Sequence, residues 1–232
     1  MRIIKPSFEI ITKIDGEQIL KEIEIAARTC YKSEGKIRYG HSNFEDGRIN
    51  WDLPSDSMAI SARELLPKLI KRGHHAMLEF GGTIHVKFTN DRGVSHEEVR
   101  HRLASFAQES TRYCNYSEDE ATDGDQGLAI IDITPHLKNP TISLSLWMDA
   151  MLYAEKTYNA MIDAGETPQI ARSVLPNSLK TEINIAANVR EWRHIFKMRT
   201  PVSAHPQIRE VMIPLLAEFK QRIPILFDDI VV

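Results

Sequence analysis

The sequence predicts an α+β fold formed as one mixed helix/sheet domain over residues 1–232. Three observations predict it. Segments with helical character outnumber those with strand character, and the two do not alternate as they would in a doubly wound sheet. No internal repeat, low-complexity stretch or clear linker divides the chain. Its 232 residues are 42% apolar, enough for a sizeable core.

Phe8 to Thr12 reads as a strand. Gly16 then introduces a helix from about Glu17 to Thr29. Ser33 to Asp56 is polar and rich in Gly, Asn and Asp, which predicts a loop. Ser57 to Arg72 is helical, with Gly73 as its C-terminal cap. From Thr83 to Thr89 the pattern alternates, with Ile84, Val86 and Phe88 on one side and His85 and Lys87 on the other. That alternation predicts a half-buried strand. Ser95 and Glu98 have capping-box spacing, and Val94 and Val99 have staple spacing, which predicts a helix from His96 to about Ser105. Val99, Leu103 and Phe106 supply its apolar stripe. Gln108 to Tyr116 is a loop or short strand, and the acidic run Ser117 to Gly127 an exposed loop. A long helix follows from Ile142 to Asp163, ending at Gly165. Thr167 and Pro168 are N-cap and first residue of a short helix stopped by Pro176. Thr181, Ile183 and Ile185 alternate in a second strand. Asn188 caps a helix that ends before Pro201. The last helix runs from Pro206 to about Arg222, before a tail of strand character.

The densest chemistry lies in Arg100 to Tyr113, RHRLASFAQESTRY. Arg100, His101, Arg102 and Arg112 gather anion-binding donors, and no acidic residue interrupts them before Glu109. Guanidinium groups bind phosphate bidentately, so the cluster points to phosphorylated ligands. On the expected helix, Arg100 and Arg102 face nearly opposite sides, one for each of two ligands or for a ligand and a neighbouring subunit. The alternative is a solvated basic helix face. A second group follows Asn188. Arg190 and His194 share a helix face, Arg193 adds to the charge, and Arg199 stands at the far end. Here the alternative is a surface helix paired with acidic neighbours such as Glu191.

The Arg-His-Arg triplet, seven residues and Ser110, then Arg112-Tyr113, resembles the signature of the flavin-dependent thymidylate synthases. Gly73-His74, Ala171-Arg172 ahead of Val174-Leu175-Pro176, and Asn188-Val189-Arg190 followed by Arg199 fall where that family has its other motifs. The resemblance spans roughly residues 57 to 210. It implies the family's α+β fold and a homotetramer with active sites shared between subunits. It implies reductive methylation of dUMP to dTMP, with FAD as cofactor and methylenetetrahydrofolate and NADPH as co-substrates. FAD contacts are then expected from His74, position 76, Arg100, His101, Arg102, Gln108, Asn188, Arg190 and His194. Contacts to dUMP are expected from Arg100, Gln108, Glu109, Ser110, Thr111, Arg112, Arg172 and position 97. Arg199 would lie against the uracil and favour its N3-deprotonated form, because a fixed cation stabilises the anion formed beside it.

The chain departs from the pattern at four places. Ala76 replaces a hydroxyl residue and Phe80 a histidine in GHHAMLEF, so the side-chain hydrogen bond to flavin at position 76 is lost. Ala107-Gln108 stands where Asn-Glu is common. Glu97 replaces a glutamine, and a carboxylate there opposes an anionic ligand. Ala76 and Glu97 motivate a further reading, a flavoprotein of this fold that has lost methyl transfer. The reading from another class is a non-catalytic nucleotide- or RNA-binding module that uses the arginine clusters.

Composition narrows the choice. A net charge of −3 argues against a general nucleic-acid binder. Cys30 and Cys114 form no disulfide framework and fit a reducing cytoplasm. Neither has the Pro-Cys-His context of the cysteine-dependent thymidylate synthases, and Cys114 reads as a packing residue. No signal peptide is expected from the first residues, and no apolar run nears the ~20 residues of a membrane span. There is no GxGxxG fingerprint. His74, His75, His85, His96 and His101 lack metal-site spacing, so no metal is expected.

Overall fold

The computed structural model describes residues 1–39, 58–117 and 127–232. Residues 40–56 of the expected Ser33–Asp56 loop, Ser57, and residues 118–126 of the acidic loop lie outside that description.

The chain forms two compact units, Met1–Glu9 with Lys87–Ile185, and Ile10–Val86 with Ala186–Val232. It passes from one to the other within three strands: β2 (Ser7–Ile10), β3 (Thr83–Asp91) and β6 (Lys180–Asn188). With β4 (Ser105–Gln108) these form a four-stranded sheet of order β2-β3-β6-β4. The alternation in the sequence sets its faces. Ile84, Val86 and Phe88 are buried on β3, as are Thr181, Ile183, Ile185 and Ala187 on β6. β2 begins one residue before and ends two residues before the expected Phe8–Thr12 strand.

In the first unit β1 (Arg2–Ile4), which sequence reading missed, pairs in parallel with β5 (Ala129–Ile131), in the register Arg2↔Ala129, Ile3↔Ile130, Ile4↔Ile131. The long helix is α4 (Pro140–Asp163), ended by Gly165 at φ +90°. Its buried Glu155 accepts from the Met1 ammonium at 2.8 Å and from the Leu128 amide at 3.1 Å. Beyond it come α5 (Pro168–Ala171) and a 3₁₀ turn, Arg172–Val174.

The helix expected from His96 to Ser105 is a correction. The observed helix, α3, runs from Arg92 to Glu98 and shares only His96–Glu98 with the expected span. Asp91, the last residue of β3, is the actual N-cap, its carboxylate accepting from the Val94 amide at 2.6 Å. The Asn90 amide donates to both Glu98 carboxylate oxygens at 2.9 Å, which ties the helix end back to β3. Ser95 is used differently, donating to the Arg92 carbonyl at 3.0 Å. Val99 and Leu103 are exposed, so the expected apolar stripe does not form. A sequence offering two capping residues four positions apart is decided by which one the strand delivers to the helix entrance.

In the second unit α1 (Gly16–Tyr31) is capped by Asp15, which accepts from the Gln18 amide at 3.0 Å. Then come α2 (Ile60–Lys71), Gly73 at φ +76°, and a 3₁₀ helix, His75–Phe80. The unit closes with α6 (Val189–Arg199) and α7 (Pro206–Arg222). Trp192 and Phe196 of α6, Phe219 of α7 and Phe227 of the tail form an aromatic cluster, with neighbouring centroids between 5.2 and 5.8 Å apart. The tail therefore packs through turns, and its expected strand does not form.

Arg193 is corrected as well. It is 3% exposed, donates to the Leu226 carbonyl and pairs bidentately with Asp229 at 2.7 Å for each bond. It locks the tail to α6 and is not part of a surface cationic cluster. Burial pushes the Asp229 carboxyl up, but the Arg193 hydrogen bonds and charge, with Lys197, outweigh it and hold it below its ordinary 3.8. A depressed carboxyl stabilises the fold above its unfolded pKa, and this contribution is lost as pH falls through the folded value. Asp229→Asn should therefore lower the melting temperature at pH 7. The gap to wild type should close as pH falls below 3.8, as thermal melts across pH would show.

Candidate active site

In the first unit the signature residues lie on turns after α3. Arg100 and His101 donate their amides to Glu97 and Glu98 carbonyls at 3.3 and 3.1 Å, closing the helix end. Arg100 and Arg102 are exposed and His101 is buried. The idea that the two arginines point opposite ways from one helix is overturned, because neither is in the helix. Glu97 is partly exposed on the last turn of α3.

Gln108 ends β4. Its amide nitrogen donates to Ser95 Oγ at 2.8 Å and Thr181 Oγ1 at 3.1 Å, so its donor capacity is taken up internally. Glu109 is committed similarly. Tyr116 Oη donates to it at 2.6 Å, Lys180 Nζ at 3.1 Å and the Glu182 amide at 3.1 Å. These carboxylate contacts leave Ser110, Thr111 and Arg112 to present the turn. The turn is tight: the Tyr113 and Cys114 amides donate to the Ser110 carbonyl at 3.1 and 3.0 Å. Arg172 Nη1 donates to Thr111 Oγ1 at 3.2 Å, and Arg112 Nε to Gln169 Oε1 at 3.1 Å. Two exposed guanidinium groups, from Arg112 and Arg172, are thereby fixed on the same turn.

In the second unit α6 carries Asn188, Arg190, His194 and Arg199. The Asn188 carboxamide oxygen accepts from the Glu191 amide at 2.9 Å, which leaves its NH₂ as donor. Arg190 Nη1 pairs with Glu79 at 2.5 Å, and Tyr31 Oη lies 3.1 Å from His74 Nδ1. Arg190, His194 and His74 are exposed, and Arg199 is half-buried as the last residue of α6. Ala76 is exposed and offers no side-chain hydrogen bond. Glu191 is buried rather than a surface partner, and burial pushes its carboxyl up against the pull of His194 and Arg190.

Sequence reasoning missed Tyr116, Lys180, Gln169 and Tyr31, each of which holds an expected ligand residue. The signal for Lys180 was present: with Glu182 it alternates against the buried Thr181 and Ile183. Tyr116 lies only seven residues beyond Glu109, but nothing in that loop marked its hydroxyl as a partner, and Gln169 and Tyr31 come from distant parts of the chain and left no signal.

Residues 11–225 match the family model described as thymidylate synthase complementing protein. The chain is 30% identical over 234 residues to the flavin-dependent thymidylate synthase of Corynebacterium glutamicum, covering 94% of this chain and 81% of that protein. The chain belongs to the flavin-dependent thymidylate synthases. The enzyme of that name from Geobacter sulfurreducens is 30% identical, over 89% of this chain and 80% of its own length. Among solved structures, the UMP/dUMP methylase PolB from Streptomyces cacaoi, bound with 5-Br dUMP, superposes with a TM-score of 0.75. It is 18% identical, and the match covers 98% of this chain and 96% of that one, so the two share the α+β fold.

Proposed function

We propose that this chain, as a single catalytic domain, converts dUMP to dTMP by reductive methylation. Methylenetetrahydrofolate is the one-carbon donor and NADPH the reductant. Family membership over residues 11–225 carries this reading, joined to the guanidinium pair that Thr111 and Gln169 fix on the Ser110–Arg112 turn.

The donor set fits FAD. An anionic pyrophosphate needs cations and polar hydrogens; in the second unit exposed Arg190, His194 and His74 and the NH₂ of half-buried Asn188 supply them, and the resemblance implies further contacts from Arg100, His101 and Arg102 of the signature. Gln108 acts by holding Ser95 and Thr181, and position 76 contributes backbone only. When bound, FAD would supply the redox chemistry, with NADPH as the source of reducing equivalents. The protein's own part is binding and electrostatics. Arg112, Arg172, Ser110 and Thr111 hold the dUMP phosphate, and Arg100 is a further contact that the family resemblance implies. Glu97 limits rather than strengthens binding there. Arg199 stabilises negative charge at N3, which raises electron density at C5, where the new carbon–carbon bond forms and a proton is lost.

No thiolate is required. Burial, with the Glu109 charge, pushes the Cys114 thiol up and away from the reactive form. Exposed Ile142, Leu146 and Tyr153 along one side of α4 support association into a homotetramer with shared sites. No helix among the described residues is long and apolar enough to cross a membrane, and the proposed location is the cytoplasm, with no nucleic-acid partner.

The test has three readouts. The pure protein should show a flavin absorption spectrum and form dTMP from dUMP. It should sediment as a tetramer. Replacing Cys30 and Cys114 together by Ala should leave dTMP formation within about tenfold, roughly 1.4 kcal/mol in the barrier. A colourless protein that binds dUMP without turnover would contradict the enzymatic reading, and a loss of several orders of magnitude in the folded cysteine variant would contradict the flavin-based route.

A further inference from the structure

The 109–116 segment is closed by one carboxylate. Glu109 and Lys180 side chains are only 15% and 18% exposed. The Glu109 amide donates to the Glu182 carbonyl at 2.8 Å, and the Glu182 amide donates back to Glu109 Oε2 at 3.1 Å. This is the exchange that two opposed residues make in an antiparallel ladder, with the side chain standing in for the Glu109 carbonyl. The main-chain carbonyl is thereby released from β6, and the chain leaves the sheet at Ser110. Lys180 Nζ holds the same oxygen from the β6 side. Tyr116 Oη holds the other oxygen from the downstream end of the turn, and the Tyr116 amide donates to Tyr158 Oη at 3.2 Å. Tyr158 is itself fully buried. The carboxylate thus ties both ends of the Ser110–Arg112 turn to a fixed strand and a buried ring. Lys180 also pairs with Glu182 at 3.2 Å, and Glu182 with Lys87 at 2.5 Å.

We propose that Lys180 and Tyr116 are positioning residues for the dUMP phosphate, acting through Glu109 to fix the turn that carries Ser110, Thr111 and Arg112. The inference rests on the assignment of that turn to dUMP. Neither side chain need touch the nucleotide. Removing either clamp lets the turn sample other directions, so the Arg112 and Arg172 guanidinium groups converge on the phosphate for less of the time. Binding weakens while the chemistry of bound substrate is preserved. Burial would pull the Lys180 ammonium down, but Glu109 and Glu182 outweigh it and hold it raised, so the clamp stays charged at neutral pH.

The experiment measures steady-state dTMP formation and bound flavin for wild type, Lys180→Met, Lys180→Arg and Tyr116→Phe. In Lys180→Met and Tyr116→Phe, KM for dUMP should rise about tenfold with kcat within about twofold and bound flavin unchanged. Lys180→Arg keeps the cation and should recover most of the affinity. An unchanged KM in both variants overturns the positioning role. A fall in kcat at constant KM, or loss of flavin in step with activity, also overturns it. Wild-type protein that makes no dTMP overturns the functional reading beneath it, whereas wild-type turnover with unaltered variants overturns the positioning alone.

Discussion

Arg199→Lys should lower turnover of dUMP by about 10²-fold, the scale found for removing one electrostatic stabiliser. Arg199 is the last residue of α6 and is half-buried there, so a shorter reach or lost fork cannot be compensated by free swinging of the side chain. Lysine keeps the charge but replaces a planar, delocalised donor array with a point charge. If the arginine stabilises the N3 anion, that stabilisation belongs mainly to the reacting state, and kcat falls more than dUMP binding does. Bound flavin should stay near wild type, because Arg199 is not among the expected flavin contacts. Arg190→Ala is the contrasting variant, lowering flavin content and releasing Glu79, its 2.5 Å partner. Flavin occupancy and dTMP formation, measured together, separate the two. Arg199→Lys that loses flavin yet keeps turnover per bound flavin would show that the residue serves the cofactor.

Trp192→Ala should destabilise the fold by about 3–5 kcal/mol, the cost of removing a large aromatic from a packed core. Trp192 is fully buried, between Phe196 at 5.7 Å and Phe219 at 5.3 Å. Its indole N–H donates to the Ile84 carbonyl at 3.0 Å, so the substitution also leaves a strand acceptor without that donor. The inner side of α6 carries this cluster and the Arg193–Asp229 pair, while Arg190 and His194 face outward on the same helix. Loosening the inner side should therefore degrade the outer one, with flavin released at a lower temperature than in wild type. Chemical denaturation gives the stability and flavin fluorescence the release. A change below about 1 kcal/mol would mean that the cluster is not the anchor of α6.

What could be read from sequence differs between the two arginine groups. Asn188 is the N-cap that its position ahead of a periodic segment predicted, and α6 ends at Arg199 as Pro201 required. The relation of Arg190, His194 and Arg199 was legible because helix periodicity is a local property. The signature segment was not legible in this way. Ser95 with Glu98 is a local cap pattern, but Asp91 arrives first from β3 and Asn90 fastens Glu98, so the helix starts four residues earlier than the pattern says. Arg193 shows the same limit. Its charge marked it for the surface, and only the return of the tail, bringing Asp229 to it, made burial favourable.

The sequence by itself determined the α+β class, the inward faces of β3 and β6, the extents of α4, α6 and α7, and, through its resemblance, the family. These follow from periodicity, capping and covalent order, all written along the chain. The tertiary structure alone decided that Gln108 and Glu109 spend their hydrogen-bonding groups on Ser95, Thr181, Lys180, Tyr116 and Glu182. A polar residue's capacity is divided among whatever donors and acceptors the fold brings within about 3 Å, and burial makes leaving one unmatched costly. Residue type at a motif position therefore named the candidate groups, while packing decided which of them stay exposed and which hold the others in place.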